Sequence, residues 1–241
     1  MPPATADLFD EIRENPLLGS FILIGGTALS LHIGHRVSED LDFITRLPKL
    51  PQSALKELER GLTASGHEIT HVVHPEAYED FQNAGLDLTD SSQDWIVDRS
   101  VKLTFFVAES QHAKLLTETE SESGTTNGFG IAAFDELCRL KAIVTAGRSK
   151  SRDWLDLFIL ERDHHFGMAE WKDAFDRAGL TPMHFEISLN RMCHGSLSPD
   201  DEGYSSLLDT APTVEEMQSK FRILRQAYET RLAKQKLGGK S

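Results

Sequence analysis

Hydrophobic and polar positions in the first half of the chain follow two different periods, which predicts strands mixed with helices. The helical period covers residues 4–14, residues 27–33 and a segment that Ser53 would cap, residues 53–64. Apolar runs or alternation predict strands at residues 21–24, 40–45, 67–74, 85–89, 95–98, 101–107 and, briefly, 131–132. Residues 118–130 are polar and rich in glycine, so we expect a loop there.

After Phe134 the pattern becomes helical throughout. Helices are predicted at residues 134–145, 152–162, 168–178, 183–192 and 213–234. Residues 195–210 contain serine, glycine and proline, which predicts an exposed connection. The predicted fold class is α/β (α+β): a mixed sheet with helices in residues 1–132, followed by a helical bundle in residues 133–241.

A glycine turn and two aspartates carry the clearest chemistry in the sequence. The strand at residues 21–24 ends at Gly25 and Gly26, where the backbone can turn tightly and approach a ligand closely. A helix that begins there points its unpaired N–H groups at the turn, which suits a phosphate. Asp40 and Asp42 are two residues apart, so in a strand they share one face. Paired carboxylates suit Mg²⁺ that also binds substrate phosphates, and the segment therefore predicts phosphoryl or nucleotidyl transfer.

A second group of charged residues follows in the helical half. Lys141 lies in an otherwise apolar helix, where a lysine most often extends its ammonium to solvent. Arg152 and Asp153 open the next predicted helix, where a carboxylate also stabilises the helix dipole. Asp156 follows three residues later and shares the face of Asp153. Taken alone, these residues admit a structural role as well as a phosphate-binding one.

The two groups together resemble the DNA polymerase β-like nucleotidyltransferase superfamily, and within it the AbiEii/AbiGii type of toxin. The resemblance covers roughly residues 15–165. It rests on Gly25-Gly26-Thr27-Ala28-Leu29, on Arg36-x-Ser38-x-Asp40-Leu41-Asp42-Phe43, and on Lys141 followed by Arg148 and Arg152-Asp153-x-x-Asp156-Leu157. It implies a nucleotidyltransferase-like sheet, with the helical domain of residues 133–241 completing the active-site cleft.

The resemblance also implies a Mg²⁺-dependent site, with two metal ions on Asp40 and Asp42 and a nucleoside triphosphate such as ATP as substrate. The catalytic residues that it implies are Asp40, Asp42, Lys141 and Asp153, with Asp156 structural. The nucleotide-binding residues that it implies are Gly25, Gly26, Thr27, Arg36, Ser38, Arg148 and Arg152. Thr27 is equally a candidate helix cap, and Arg36 and Ser38 are equally candidates for holding the loop that carries the aspartates.

The implied reaction transfers a nucleoside monophosphate to an acceptor hydroxyl, such as that at the 3′ end of a tRNA. The implied biology is that of a toxin neutralised by a separate antitoxin. Residues 101–106, where a third carboxylate is common in the superfamily, contain no acid, which leaves the general base unassigned between Asp98 and Glu109. The alternatives are a nucleotidyltransferase-like binding protein with little or no turnover, and a transferase that modifies a protein or a small molecule.

Composition limits where such a chain can bind its partners. At a net charge of −13, RNA contact is expected only at one basic strip, formed by Arg148, Lys150 and Arg152. The only two cysteines, Cys138 and Cys193, are expected to be buried free thiols, as is usual in a reducing cytoplasm. No apolar run approaches the length of a membrane span, so no membrane contact and a cytoplasmic location are expected.

Overall fold

A mixed sheet is the framework of the first part of the chain. Its strands are β1 (Phe21–Ile24), β2 (Leu41–Thr45), β3 (Ile69–Val72), β4 (Ser92–Val97), β5 (Val101–Val107) and β6 (Gly130–Ile131). They form one six-stranded sheet in the order β3-β4-β5-β2-β1-β6. The pairs β2–β5 and β1–β6 are parallel, and the pairs β1–β2, β3–β4 and β4–β5 are antiparallel. The mixed sheet confirms the fold class expected from the sequence.

Two compact units divide the chain, Met1–Phe134 and Asp135–Ser241. This computed structural model describes residues 1–73, 75, 79, 81, 83–117 and 128–238. Helices of the first unit include α1 (Pro3–Ile12), α2 (Gly25–Ile33), α3 (Gln52–Ala64) and α4 (Ser110–Leu115). One face of the sheet is covered by an aromatic core, in which Phe43 stacks on Phe105 with a centroid distance of 5.4 Å and Trp95 packs edge-on against Phe105 at 4.9 Å.

The second unit is helical. It contains α5 (Phe134–Val144, which begins at the last residue of the first unit), α6 (Ser151–His164), α7 (Met168–Ala178), α8 (Pro182–His194) and α9 (Val214–Gly238). Helix α9 packs against α6, α7 and α8, around buried aromatic rings such as Trp171 and Phe221, whose centroids are 5.5 Å apart. Cys138 and Cys193 are buried free thiols, as expected, and burial raises the pKa of Cys138 to about 12. No helix in the described part of the chain is long and apolar enough to cross a membrane.

Several predicted boundaries are wrong for local reasons. Helix α3 follows Pro51, so Ser53 is not its cap. Residues 85–89 form no strand, because the Asp87 carboxylate accepts the Thr89 amide at 2.9 Å and starts a 3₁₀ turn, Leu88–Asp90. Helix α4 was not predicted at all. The end of the predicted strand at His74 and most of the predicted loop, residues 118–127, lie outside the described residues.

His67 links three parts of the first unit through its two ring nitrogens. Nδ1 lies 2.6 Å from the Asp98 carboxylate, and Nε2 lies 2.9 Å from the Glu11 carboxylate. The hydrogen bond to Asp98, followed by that to Glu11, raises the pKa of His67 above its usual value. Protonated His67 therefore stabilises the fold fully below the unfolded pKa of about 6.5, and this contribution is lost as the pH rises through the higher folded pKa.

We expect His67→Gln to lower the free energy of unfolding at about pH 6 by about 1 kcal/mol or less, because solvent screens a partly exposed site. At about pH 9 the loss should be smaller, since the imidazole is then neutral in both states. Urea unfolding of the parent chain and the variant at the two pH values measures the difference in stability. The comparison at the higher pH is the internal control. Equal losses at both values would show that the protonated ring is not the source of the effect.

Candidate active site

Gly25 brings the acidic strand and the start of helix α2 into direct contact. Its φ of +76° lies in the left-handed region, which glycine adopts without strain. A Cβ atom at this position would overlap the carboxylate of Asp42, a residue that the β1–β2 register sets opposite Ile24. The backbone angle and the close approach therefore both require glycine at position 25.

The first turn of α2 adds hydrogen-bond donors beside that carboxylate. Gly25, Gly26 and Thr27 are the first residues of the helix. Their N–H groups have no acceptor within the helix, and the positive end of the helix dipole lies among them. An anion that binds at this turn would therefore lie next to Asp42.

Gly26 is packed just as closely, against the loop between α2 and β2. A Cβ atom there would overlap the Arg36 guanidinium and lie 2.9 Å from the Ser38 hydroxyl. Arg36 and Ser38 are 8% and 5% exposed, and Arg36 Nη1 donates to the Val37 carbonyl at 3.0 Å. These contacts support the loop-holding role of Arg36 and Ser38, and their contact with a nucleotide stays a prediction.

Thr27 ties the helix to the acidic segment. Its hydroxyl donates a hydrogen bond to the Asp40 carbonyl oxygen, and its side chain is buried. The expectation that Thr27 caps α2 is wrong, because Thr27 is the third residue of a helix that begins at Gly25. The hydroxyl instead fixes the backbone that carries Asp40.

Asp40 and Asp42 supply the donors for a hard cation. Strand β2 begins at Leu41, so Asp40 directly precedes the strand. The sequence pattern had predicted that Asp40 is the first residue of that strand. Among the described residues no group of three or more His, Cys, Asp or Glu side chains is arranged to hold a metal ion. Mg²⁺ is usually held by one or two carboxylates and completes its shell with substrate phosphates and water. The two carboxylates beside a phosphate-binding turn therefore fit a divalent ion that can also bind a triphosphate.

Two charged residues that the sequence argument did not single out lie on the same face of the sheet. Thr104 of β5 pairs with Asp42 on one side and with Asp94 of β4 on the other. Lys102, two residues before Thr104, forms an ion pair with Asp94 at 2.9 Å. Period-two alternation along β4 and β5 was the available signal. It identifies the neighbours of Asp42 only once the register of three strands is known.

Both candidates for the general base have other partners. Asp98 accepts the Glu68 amide at 2.8 Å and binds His67, and these two hydrogen bonds hold the pKa of Asp98 below its usual value. Glu109 accepts a hydrogen bond from the Gln111 side chain at 2.7 Å. A part for Asp98 or Glu109 in proton transfer stays a prediction.

A buried ion-pair cluster joins helices α5 and α6 in the second unit. Lys141 Nζ lies 2.9 Å from Asp153 Oδ1 and 2.7 Å from Asp156 Oδ2. Arg148 donates to the Asp153 carboxylate from Nε at 2.7 Å and from Nη2 at 3.1 Å. The Lys141 side chain is only 9% exposed, and those of Asp153 and Asp156 are 2% and 0% exposed. Lys141 therefore does not extend its ammonium into solvent, which was one of the two interpretations of this residue.

Mutual charge neutralisation explains how this cluster can be buried. Burial raises the pKa of Asp153, but the charges of Lys141 and Arg148 outweigh burial and hold that pKa below its usual value. Two cations and two carboxylates leave no net charge, and ionised groups tolerate burial when they are paired and hydrogen-bonded. The structure thus brings Lys141, Arg148, Asp153 and Asp156 together, and the catalytic part of Lys141 and Asp153 stays a prediction.

The basic strip expected to contact RNA is paired with acidic residues of its own unit. Lys150 Nζ lies 2.7 Å from the Asp200 carboxylate, and Arg152 Nη1 lies 3.3 Å from the Glu202 carboxylate. Arg152 also donates to the Gly203 carbonyl at 3.0 Å. With Arg148 bound to Asp153, all three cations of the strip therefore already have anionic partners.

The same acidic segment covers the start of helix α6. The Asp201 carboxylate accepts the Ser151 amide and the Ser151 hydroxyl, both at 2.7 Å, and the Ser198 amide donates to the Ser149 carbonyl at 2.8 Å. Residues 195–210 were expected to be an exposed connection. Residues 198–203 instead pack on the beginning of α6, because their carboxylates match its unpaired amides and its neighbouring cations.

Sequence comparisons match the chain to known proteins. The family described as "Nucleotidyl transferase AbiEii toxin, Type IV TA system" matches residues 6–235. An uncharacterised protein of Aquifex aeolicus (strain VF5) is 26% identical over 164 residues, which cover 68% of each chain.

Solved structures share the fold at low identity. JHP933 from Helicobacter pylori has a TM-score of 0.51 and 20% identity, over 98% of this chain and 94% of that one. MenT4, a nucleotidyltransferase toxin from Mycobacterium tuberculosis H37Rv, has a TM-score of 0.45 and 15% identity, over 92% and 84%. At such identities the likeness to JHP933 shows the fold alone, and the likeness to MenT4 carries no argument.

Proposed function

Because the chain belongs to the AbiEii family of nucleotidyltransferase toxins from type IV toxin–antitoxin systems, we propose that it transfers a nucleoside monophosphate from a nucleoside triphosphate to an acceptor hydroxyl. The observation that carries the proposal is the packing of the Asp42 carboxylate on Gly25, at the N-terminus of α2. A phosphate-binding turn and a metal-binding carboxylate are therefore adjacent, as transfer of a phosphoryl group requires.

The residues of the first unit would divide the work of binding. Asp40 and Asp42 would hold a divalent ion, Mg²⁺ by the chemistry of its donors, and such an ion polarises phosphoryl oxygens and lowers the pKa of a bound hydroxyl. The amides of the first turn of α2 and the Arg36 guanidinium would bind the triphosphate. Thr27 and Ser38 would keep the acidic segment against that turn.

For Lys141 and Asp153 the proposal of a part in transfer rests on the sequence motif. A lysine ammonium can stabilise negative charge that develops on departing pyrophosphate. Arg148 and Arg152 are proposed as phosphate contacts on the same ground. Their pairing with acidic residues means that a substrate would have to compete for these cations.

The acceptor that we propose is an RNA hydroxyl, such as that at the 3′ end of a cytoplasmic tRNA, and a separate antitoxin would stop the reaction. A protein or small-molecule acceptor fits the net charge of −13 better than RNA does. It is therefore the second candidate, and a binding protein without turnover is the third.

Labelling distinguishes these candidates. The protein is incubated with each α-labelled nucleoside triphosphate and Mg²⁺, together with total RNA or with a protein extract. Label in RNA, lost at high salt, supports the RNA acceptor, because binding to phosphates weakens steeply with salt. Label in protein or in a small molecule supports the second candidate. No label with any nucleotide or acceptor contradicts transfer and leaves the binding protein.

We expect Gly25→Ala to abolish most transfer. The substitution forces an L side chain into the left-handed region, which costs about 1–2 kcal/mol, and it also pushes the Asp42 carboxylate away. Gly34→Ala is a matched control, because Gly34 has a φ of +60° and a Cβ there meets nothing within 4 Å.

Chemical unfolding and the labelling assay are measured on both glycine variants. Similar losses of stability, with transfer lost only in Gly25→Ala, are the expected pattern. Full activity in a folded Gly25→Ala variant would contradict the placement of the site at this turn.

A further inference from the structure

Lys102 lies between carboxylates on both neighbouring strands. Its ammonium is 2.9 Å from Asp94 of β4. On the other side, β2 and β5 are parallel with Leu41 opposite Leu103, so continuing this register by one residue sets Asp40 beside Lys102. Asp42, opposite Thr104, is on the same face of the sheet. The Lys102 ammonium therefore lies among the carboxylates of Asp40, Asp42 and Asp94.

The ion pair with Asp94 holds the Lys102 ammonium on this face of the sheet. The Asp94 side chain is 10% exposed and that of Lys102 is 39% exposed.

Charge balance limits how many divalent ions this face can hold. Asp40, Asp42 and Asp94 carry three negative charges when ionised, and Lys102 offsets one of them. In the absence of a triphosphate, one divalent ion cancels the remaining two. A second divalent ion would lie beside the Lys102 ammonium, and the residue in register with Asp42 on β5 is Thr104, whose neutral hydroxyl is a poor substitute for a carboxylate ligand.

We propose that Lys102 takes the place of a second divalent ion, so that the site binds one such ion per chain, on Asp40 and Asp42. The inference rests on the proposed function, which assigns those two carboxylates to a metal, and it replaces the two-metal site that the family resemblance implies. In this arrangement Asp94 positions the Lys102 ammonium, and the ammonium lies beside the negative charge of the bound triphosphate.

The number of Mn²⁺ ions bound per chain tests the proposal without measuring activity. Mn²⁺ alone is titrated into the full chain, and the free ion is followed by electron paramagnetic resonance. Wild-type protein should bind one Mn²⁺. Lys102→Met should bind one Mn²⁺ at least about tenfold more tightly, because the repelling ammonium is gone. The double variant Lys102→Met/Thr104→Asp should bind two.

Lys49→Met is the control for removing a lysine. Lys49 pairs with Asp90 at 2.6 Å in the same unit, and its side chain is 70% exposed. Its removal should leave Mn²⁺ binding unchanged. Circular dichroism checks that each variant is folded. If Lys102→Met does not fold, Asp94→Asn is measured in its place. Mn²⁺ should then bind at least about tenfold more weakly, because the Lys102 ammonium no longer pairs with Asp94 and competes with the ion for Asp40 and Asp42.

Three results would overturn the proposal while leaving the proposed function intact. They are two Mn²⁺ ions in the wild-type chain, a single ion in Lys102→Met/Thr104→Asp, and an unchanged affinity in the folded single variants. Failure of the proposed function has a different signature. In that case the wild-type chain binds no Mn²⁺, or Asp42→Asn leaves Mn²⁺ binding unchanged.

Discussion

Asp42→Asn should leave the chain folded and reduce nucleotide transfer on the order of a thousandfold. The amide keeps the shape that packs on Gly25, but it removes one of the two carboxylates that would hold the metal ion. Loss of about 4 kcal/mol of stabilisation of the transferring phosphoryl group gives a rate effect of this size. Label transferred per unit time, at saturating nucleotide and Mg²⁺, is the measurement.

Asp90→Asn is the matched control for Asp42→Asn. Asp90 lies in the same unit and its carboxylate pairs with the exposed Lys49, so the same chemical change there should leave transfer within about twofold. Chemical unfolding should give similar free energies for both variants and the parent chain. A folded Asp42→Asn variant with parental activity would remove Asp42 from the site.

The part of the site around Asp42 was predictable because its signals are local. The apolar run of β1, the two glycines and the first residues of α2 are consecutive in the chain. Gly25 and Asp42 come close because a short loop leads from α2 into β2, which pairs antiparallel with β1. Such features can be predicted from residue propensities and from the period of hydrophobic positions, which both depend on a few neighbouring residues.

Asp94 and Lys102 were missed because their position depends on register. Asp94 becomes a neighbour of Asp42 only through β5, which lies between their strands. A shift of one residue in either pairing would turn these side chains to the other face of the sheet. Single-sequence reasoning identifies strands but does not fix the registers of both pairings at once.

The basic strip shows the same limit in the second unit. Arg148, Lys150 and Arg152 are close together in sequence and were expected to contact RNA. Arg148 pairs with nearby Asp153, but the acidic partners of Lys150 and Arg152 are Asp200 and Glu202, about 50 residues further along. Local composition identifies a cluster of one charge, but not a distant segment of opposite charge that folds back onto it.

Lys141→Met should destabilise the protein by about 3–5 kcal/mol, because it removes the cation that pairs with two buried carboxylates, Asp153 and Asp156. Urea unfolding at neutral pH measures the loss. The deficit should shrink as the pH falls, because protonation of the buried carboxylates removes the uncompensated charge. A loss of transfer by this variant supports a phosphate contact only when the activity is calculated per folded molecule.

Two variants complete the Lys141 experiment. Lys220 pairs with Glu161 at 3.0 Å and is 38% exposed, so Lys220→Met should cost no more than about 1 kcal/mol.

Lys141→Met/Asp156→Leu removes one charge of each sign and leaves Arg148 with Asp153. It should recover most of the lost stability, since replacing a buried ion pair by apolar side chains is often neutral. A double variant as unstable as Lys141→Met would show that lost packing, and not an uncompensated charge, explains the effect. Recovery of stability without recovery of transfer would separate the structural role of Lys141 from its proposed contact with phosphate.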